Sequence, residues 1–578
     1  MPQVFSKFDL PYSKKNIPLN SKKEYLLQLV HSVEKFVRNL RWRAFFYLNP
    51  TDKQEKETYG FKSIKAAKPV KELKAMEERL KIMIRDVVFR QNVSNDFLDK
   101  LKTDINRIFN LDDLIVSADK TSNDYQMKTG DYNELHQRNI QKDYKKASWE
   151  EVDADLEKQK EIVTKLDIED RVMYTPPQTS NITLKDHKPN FQNNPKCRLI
   201  NKSKFEIGKI SKQVLSRVVE NVKKKTNFNL WKNTDSVITW FENLQNKQNL
   251  TFIAFDICDY YGSITEELFV EALTWAKRIS NISDDEWEVI MEAKRSLLFD
   301  GKELWKKRGE KVFHIAMGSW DGAESTDIVG LFLLNKLVEL KIELGLYRDD
   351  GLAALRCTAR QGEKIKQKLI QIFSNYGLKL EVDANHKIVN FLDVTFDLEN
   401  GIYKPFRKEN NTIRYINTKS NHPPATIKNI PKNVNDRLSR NSANQEIFEN
   451  AKGPYQDALD QSGYRYQLKF DPSIKQKQQQ PQPRKNRKRK ITWFNPPYSH
   501  NVKSNIGKIF LQIISDCFPP SHILHKICNR STLKVSYRTM PNMKRHIARH
   551  NNKILREAFE QIDPGMRETE DVTASQLT

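Results

Sequence analysis

Three carboxylates in stiff, apolar surroundings are where this chain could do chemistry. Asp349 and Asp350 are neighbours in the stretch Leu344-Gly-Leu-Tyr-Arg-Asp-Asp-Gly-Leu-Ala-Ala-Leu355, and Asp256 stands far upstream, after Leu250-Thr-Phe-Ile-Ala-Phe255. Asp-Gly between two apolar runs predicts a β-hairpin with both carboxylates at its tip. The nearly unbroken apolar and β-branched run Leu250 to Phe255 predicts a buried strand that delivers Asp256 at or near its end. Such separation in sequence is what two strands of one sheet show when other elements are wound between them. Carboxylates converging on hard cations form the two-metal arrangement of nucleotidyl transfer. One ion activates an attacking 3′-hydroxyl, and the other neutralises the triphosphate and its leaving group. The hairpin alone would be weak testimony, because Asp-Gly turns are common and solvated.

The carboxylates need elements to hold them. Glu266 to Arg278 carries Leu268, Phe269, Ala272, Leu273 and Ala276 at helical spacing, so a helix is predicted directly after the Asp256 strand. Gly318 and Gly322 open a second helical stretch, Glu324 to Glu343, with Ile328, Leu331, Phe332 and Leu334 among its core candidates. Glycines ahead of a helix let backbone approach a ligand closely, although an ordinary Gly-rich turn reads the same way. Beyond the hairpin, Glu363 to Tyr376 reads as an amphipathic helix and Ile388 to Phe396 as a strand. Upstream, Lys185, His187 and Lys188 precede a Pro-Asn loop, and Arg198 follows on the apolar segment Cys197 to Ile200. A hairpin of that shape can aim cations at a triphosphate, which Arg grips bidentately. The plainer alternative is a basic surface loop in a lysine-rich chain.

Taken in order, these stretches resemble reverse transcriptases. Phe255-Asp256 through Tyr261, then Tyr347-Arg-Asp-Asp350, are similar to palm motifs A and C, and the chain more narrowly resembles the polymerase of Penelope-like retroelements. Ile182-Thr-Leu-Lys-Asp-His-Lys-Pro189, Cys197-Arg-Leu-Ile-Asn201, Met317-Gly-Ser-Trp-Asp-Gly-Ala-Glu324 and Asn390-Phe-Leu-Asp-Val-Thr395 fall in the expected order, over residues 110–555. The resemblance implies an α+β right hand of fingers, palm and thumb with RNA-directed DNA polymerase activity. Its implied partners are an RNA template, a DNA primer and dNTPs. By it, Asp256, Asp349 and Asp350 are catalytic and bind two Mg²⁺ ions, which Mn²⁺ can replace. Lys185, Lys188 and Arg198 bind the triphosphate, and Tyr347 and Arg348 complete the motif C hairpin. Gly318 lies in the loop that supports the template base, and Lys387 resembles the lysine that protonates pyrophosphate, though a solvated lysine fits equally. Tyr261 corresponds to the steric gate, whose ring excludes a ribose 2′-hydroxyl by volume; RNA-dependent RNA polymerases place an Asp there. Lys120, after the strand Leu114 to Ala118, resembles a fingers lysine that touches substrate. Asp259 reads as a structural or solvated carboxylate, and Trp320 stays open between base stacking and core packing. Gly262 departs from the family, where Pro is usual.

The chain has 578 residues, and its 98 Lys and Arg against 74 Asp and Glu give a formal charge of +24. Such an excess suits a polyanion, with nucleic acid ahead of a membrane surface. Plain solubility would explain the charge but not the carboxylate pattern. Cysteines 197, 258, 357, 517 and 528 are scattered without a paired framework, which favours a reducing compartment. The N-terminus lacks a signal-peptide core and no run is long enough to span a bilayer, so an intracellular protein with no membrane partner is expected. Arg484-Lys-Asn-Arg-Lys-Arg-Lys490 fits a nuclear import signal, an RNA contact or a solvated linker; a nuclear protein is the expectation. His546 and His550 have the i, i+4 spacing of a zinc pair, but no Cys pair matches them and zinc is not expected.

The predicted order is a helical basic N-terminal region (1–110), fingers and the start of the palm (111–250), palm (251–404) and thumb (405–472). A disordered basic linker (473–490), a small C-terminal domain (491–555) and a polar tail (556–578) follow. Family members often continue into a Cys-rich segment and a GIY-YIG endonuclease, and nothing after Asn552 carries that pattern. Neighbouring alternatives are telomerase-like repeat synthesis and an RNA polymerase, the second opposed by Tyr261. A non-enzymatic alternative is a degenerate or domesticated copy that only binds RNA or DNA. The sequence carries no signature of oligomeric state.

Overall fold

In a computed structural model the described residues are 5–50, 65, 67–91, 93–172, 178–202, 207–295, 297–309, 313–408, 412–474 and 491–562. The cluster Arg484 to Lys490 and the tail beyond residue 562 lie outside them.

The central sheet forms where the sequence is most apolar. Thr251–Ile257 is its middle strand, flanked antiparallel by Asp350–Leu355 and Leu380–His386. Glu343–Tyr347 pairs antiparallel with Asp350–Leu355, and the short Asn229–Leu230 runs parallel to it at the edge. Alternating side chains divide the middle strand between two cores. Ile253, Phe255 and Ile257 pack with Leu215, Phe269, Phe332 and Phe373 from the helices Ile207–Thr226, Glu266–Ile279, Gly322–Leu337 and Ala359–Ser374. Phe252 packs on the other face with Trp240, Leu352, Ala354 and Phe396. Burial of both faces is why Leu250 to Phe255 reads as a continuous apolar run rather than an alternating one. Each such large apolar side chain contributes roughly 1.5–3 kcal/mol on full burial, so both cores hold the middle strand in place.

Element boundaries follow local chemistry. The helix expected from Glu363 starts a turn earlier, at Ala359, because Thr358 and Gln361 form a capping box. The helix expected over Glu324 to Glu343 runs Gly322–Leu337 and closes in a tight turn, Val338–Leu340, so Glu343 already belongs to the hairpin. The strand expected over Ile388 to Phe396 is two strands, Ile388–Phe391 and Val394–Asp397, folded back at Leu392, which takes a left-handed φ of 54°.

The fingers hold the hairpin Asn181–Leu184 with Cys197–Ile200, bridged at Leu184 to Ala118 beside the strand Leu114–Ser117. Helices Pro424–Asn441, Gln445–Ala451 and Gly453–Gln461 form the thumb around Leu438, Phe448, Leu459 and Tyr464. The molecule is thus an α+β right hand with a helical N-terminal region and a small C-terminal domain. Those two regions share one core. Phe36 of Lys22–Leu48 packs edge-on against Phe494 and Phe510, at 5.5 and 5.0 Å between ring centres. The buried Ser420-Asn421 stretch clasps this unit to the thumb: Ser420 Oγ accepts from Ile17 N–H (2.8 Å), and Asn421 Nδ2 donates to the Pro18 carbonyl (3.0 Å) and Ser499 Oγ (3.2 Å). His546 and His550 lie edge-on to the Phe109 ring, and His550 Nε2 is 3.0 Å from the Asp113 carbonyl oxygen, so both take part in packing. No helix among the described residues is long and apolar enough to cross a membrane.

Candidate active site

The palm sheet places acids side by side. Asp350 and Glu381 both stand opposite Asp256, one on each neighbouring strand, so three carboxylates cross one face in a row. Directly opposed like charges destabilise a sheet, and this fold accepts two such pairs together. The cost falls on Asp256 and Asp350. Asp350 is pushed up to about 6, by burial first and then by Asp349 and Asp256. Asp256 is raised by desolvation and then by Asp349, with Glu381 adding to it. Among the described residues no ion pair takes up Asp256, Asp349 or Asp350.

Asp349 sits in the turn itself. Tyr347 pairs with Asp350, so the two turn residues are Arg348 and Asp349, with Arg348 at a left-handed φ of 58°. The Asp-Gly step is therefore not the turn, and Asp350 is already the first residue of a strand. Gly351 serves another need: it lies opposite Phe255, and a Cβ there would overlap the Phe255 ring. The Asp349 carbonyl accepts from Ile257 N–H (2.9 Å), fixing the tip against the middle strand. Arg348 turns away from the acids and pairs with Asp327 on the helix Gly322–Leu337. Asp327 is itself raised to about 6, by burial, with Arg348 opposing.

Cations come from the fingers. Arg198 Nη1 donates to Asp119 Oδ1 (2.9 Å), and the Asp119 N–H donates to the Leu184 carbonyl (2.8 Å). Asp186 organises the same hairpin, accepting from Thr121 Oγ1 (2.6 Å), Asn123 Nδ2 (2.9 Å) and Tyr125 Oη (3.1 Å). Burial lowers Lys185, and Arg198 lowers it further, so these cations crowd one another. They also face the acids: Lys120 and Lys188 stabilise charged Asp256, and Lys120 and Lys408 stabilise charged Asp350.

Tyr261 follows a sharp corner. Asp259 takes a left-handed φ of 47°, and its carboxylate fills the space a Cβ on Gly262 would need, with Oδ2 at 2.7 Å. A side chain at 262 would collide with Asp259, which accounts for the glycine. The Tyr261 ring stands against Gly322, 3.5 Å from where a Cβ would be. Tyr260 Oη anchors the pair on the Thr326 carbonyl (2.9 Å). Gly318, at φ 111°, presses its backbone on the Asn201 carbonyl, where a Cβ would not fit. Trp320 lies beside Gly208, beneath the Lys209 ammonium at 4.9 Å.

The structure thus brings together Asp256, Asp349, Asp350 and Tyr261, with Lys188 facing the acids, Lys185 and Arg198 beside it in the fingers, Gly318 packed on Asn201, and Tyr347 and Arg348 in the hairpin. Lys387 is placed elsewhere. Its ammonium donates to the carbonyls of Gln248 (2.8 Å) and Leu250 (2.7 Å), at the opposite end of the middle strand from Asp256. Lys379 is at the near end, where its carbonyl accepts from Cys258 N–H (2.9 Å). Glu381 and Lys379 were both missed in the sequence, because nothing local marks a residue that only strand register carries to the site.

The donors suit a hard cation, being carboxylate oxygens that repel one another when ionised. They do not form a closed cage: among the described residues no three His, Cys, Asp or Glu groups are gathered as one could hold a metal. Mg²⁺ in particular is held by one or two carboxylates together with substrate phosphates and water. Asp256, Asp349 and Asp350 fit that role.

No protein-family model matches the chain, and no curated protein matches it. Among solved structures it is similar to telomerase from Candida albicans in complex with a fragment of telomeric RNA, at 10% identity over 88% of this chain and 94% of that one, with a TM-score of 0.41. It is similar to apo telomerase from Candida tropicalis at 13% identity over 76% and 86%, TM-score 0.39. The RNA-dependent RNA polymerase of a human picobirnavirus follows at 10% identity over 83% and 90%, TM-score 0.34.

Proposed function

We propose that the chain is an RNA-directed DNA polymerase of a retroelement of the Penelope-like kind, extending a DNA 3′-hydroxyl with dNTPs on an RNA template. The observation that carries this is the in-register Asp256–Asp350 pair, with Asp349 in the adjoining turn, lying under the cations of the fingers. Two Mg²⁺ ions held by these carboxylates would supply Lewis acidity at the attacking and leaving oxygens. The chain's own residues do the rest. Arg198, Lys185 and Lys188 hold and orient the triphosphate, with Arg198 kept in place by Asp119. Tyr261 fills the space a ribose 2′-hydroxyl would need, and Gly322 lets the ring lie close to the following helix. The Gly318 backbone supports the template base, and the thumb grips the duplex by its phosphates.

The test is primer extension on an RNA template with Mg²⁺, offering deoxy- or ribonucleotides, beside Asp349→Asn. Extension with deoxynucleotides alone, lost in the variant, is the expected result. Extension with ribonucleotides would remove the role given to Tyr261. RNA binding without extension in the wild type would identify a binding relic instead.

A further inference from the structure

Lys294 and Asp321 form an ion pair with side chains only 1% exposed on each side. Buried pairs of this kind add little net stability, so one retained in a core this apolar asks for another reason. Asp321 immediately precedes the helix Gly322–Leu337, where an Asp commonly caps the helix through its side chain, yet it makes no such bond. Its carboxylate is instead turned inward, to Lys294 and to the hydroxyl of the fully buried Ser211 on Ile207–Thr226. The Lys294 carbonyl in turn accepts from His314 N–H (2.9 Å), at the start of the approach to the same loop.

The loop so pinned is the one that meets the nucleotide site on two sides. At one end the Met317 carbonyl accepts from Asn201 N–H (3.2 Å), and Gly318 presses on Asn201, just past the Arg198 strand. At the other, the Tyr261 ring stands against Gly322, 3.5 Å from where a Cβ would be. The Asp321 carbonyl accepts from Ser325 N–H (2.9 Å) and Ser325 Oγ (2.8 Å), so a shift of Asp321 moves the first turn of the helix with it. We propose that Lys294, through Asp321, is a positioning residue that sets the Gly318–Gly322 loop against Tyr261 and thereby governs discrimination between deoxy- and ribonucleotides. This rests on the polymerase function proposed above. Neither side chain touches substrate; they act by fixing how far the Tyr261 ring can retreat from a 2′-hydroxyl.

The double variant Lys294→Met/Asp321→Asn removes both charges together and avoids stranding one in the core. Ser211→Ala is the milder companion, leaving the charges paired and deleting one holder of Asp321. Both are assayed by single-nucleotide primer extension with dNTP and with rNTP. The double variant should lose about tenfold in the ratio of kcat/KM for dNTP over rNTP, chiefly through a lower KM for rNTP, while kcat for dNTP stays within about threefold. Ser211→Ala should shift the ratio the same way by about threefold. A pair that merely stabilises the fold would depress both substrates alike, and a ratio unchanged within about twofold overturns the proposal. Should the double variant melt below the assay temperature, the Ser211→Ala ratio decides alone. Wild-type protein that extends neither nucleotide overturns the polymerase function and this role with it. Wild-type dNTP extension with unaltered selectivity in the variants overturns this role only.

Discussion

Asp350→Asn should make the metal-free protein locally more stable while ending its chemistry. The folded environment raises Asp350 from 3.8 to about 6, by burial and by the charges of Asp349 and Asp256. A shift of about two units corresponds to about 3 kcal/mol, and solvent screening of this partly exposed group reduces the expected cost of ionisation to about 1–3 kcal/mol. The sign follows from linkage. An acid whose folded value is raised lends its stability below the unfolded value and loses it as pH climbs through the folded one. Wild type should therefore be weakened at about pH 8 and match the variant near about pH 3.5. Hydrogen exchange of the amides in Glu343–Tyr347 and Asp350–Leu355, measured without divalent ions, reads this locally. At about pH 8 exchange in Asp350→Asn should be slower by about 5- to 150-fold, and the difference should close on acidification. Adding Mg²⁺ should slow exchange in wild type and scarcely alter the variant, because a bound ligand stabilises only the state that binds it. Equal or faster exchange in the variant at high pH, or a gap that ignores pH, would refute the claim that these acids are held against their own repulsion.

Arg198→Ala should raise the KM for dNTP by about 10- to 100-fold with a smaller change in kcat, since a charge-assisted bidentate grip on phosphate is worth roughly 1.5–3 kcal/mol; steady-state extension at saturating primer–template checks it, and an unchanged KM counts against the fingers hairpin as a triphosphate holder. Gly351→Ala should cost about 1–3 kcal/mol by forcing the Phe255 ring off its place, and Phe255→Leu in the same chain should recover part of it, as read by denaturation midpoints. His136 is buried against Ser180 Oγ at 2.9 Å and lowered to about 4, chiefly by desolvation. Its contribution is whole above about 6.5 and is lost as pH falls through about 4, on the order of 3 kcal/mol, so His136→Gln should flatten the acid limb of the denaturation profile; an acid limb identical to wild type would assign that loss to other groups.

The carboxylate end of the central sheet was legible because its marks are local. A continuous apolar run delivers Asp256, and two apolar runs around Asp349-Asp350 deliver a hairpin. The turn itself was misplaced by one step, since Gly351 answers to the Phe255 ring across the sheet and not to backbone sign. Lys387 failed for the same reason in reverse. Its place before the strand at Ile388 resembles a family pattern, but the register of Leu380–His386 against Thr251–Ile257 carries it to the opposite end of the sheet and brings Glu381 beside Asp256 instead. Single-residue register has no signature in a lone strand, because both faces here are buried. The sharing of one core by the N- and C-terminal regions was hidden too: Phe36 and Phe494 each look like an ordinary core residue of a separate helix or strand.

Opposite charges are divided between separate elements of this fold. The guanidinium nearest the acids in sequence, that of Arg348, is spent on Asp327 behind the hairpin. Moving it onto Asp349 or Asp350 would relieve the repulsion at once, and the fold does without that relief. The cations that do face the acids, Lys120, Lys188 and Lys408, belong to other segments and act across a gap. Negative charge is thus left uncompensated on a rigid sheet, and positive charge is held opposite on separately folded elements. On the function proposed above, a metal ion and a polyanionic substrate entering that gap would satisfy both sides together, the metal on the carboxylates and the phosphates on the lysines and arginine. A surface that only bound nucleic acid would gain nothing from the carboxylate row, because phosphates are repelled by it. On the function proposed above, the row would gather cations against phosphate, which is the electrostatic requirement of phosphoryl and nucleotidyl transfer.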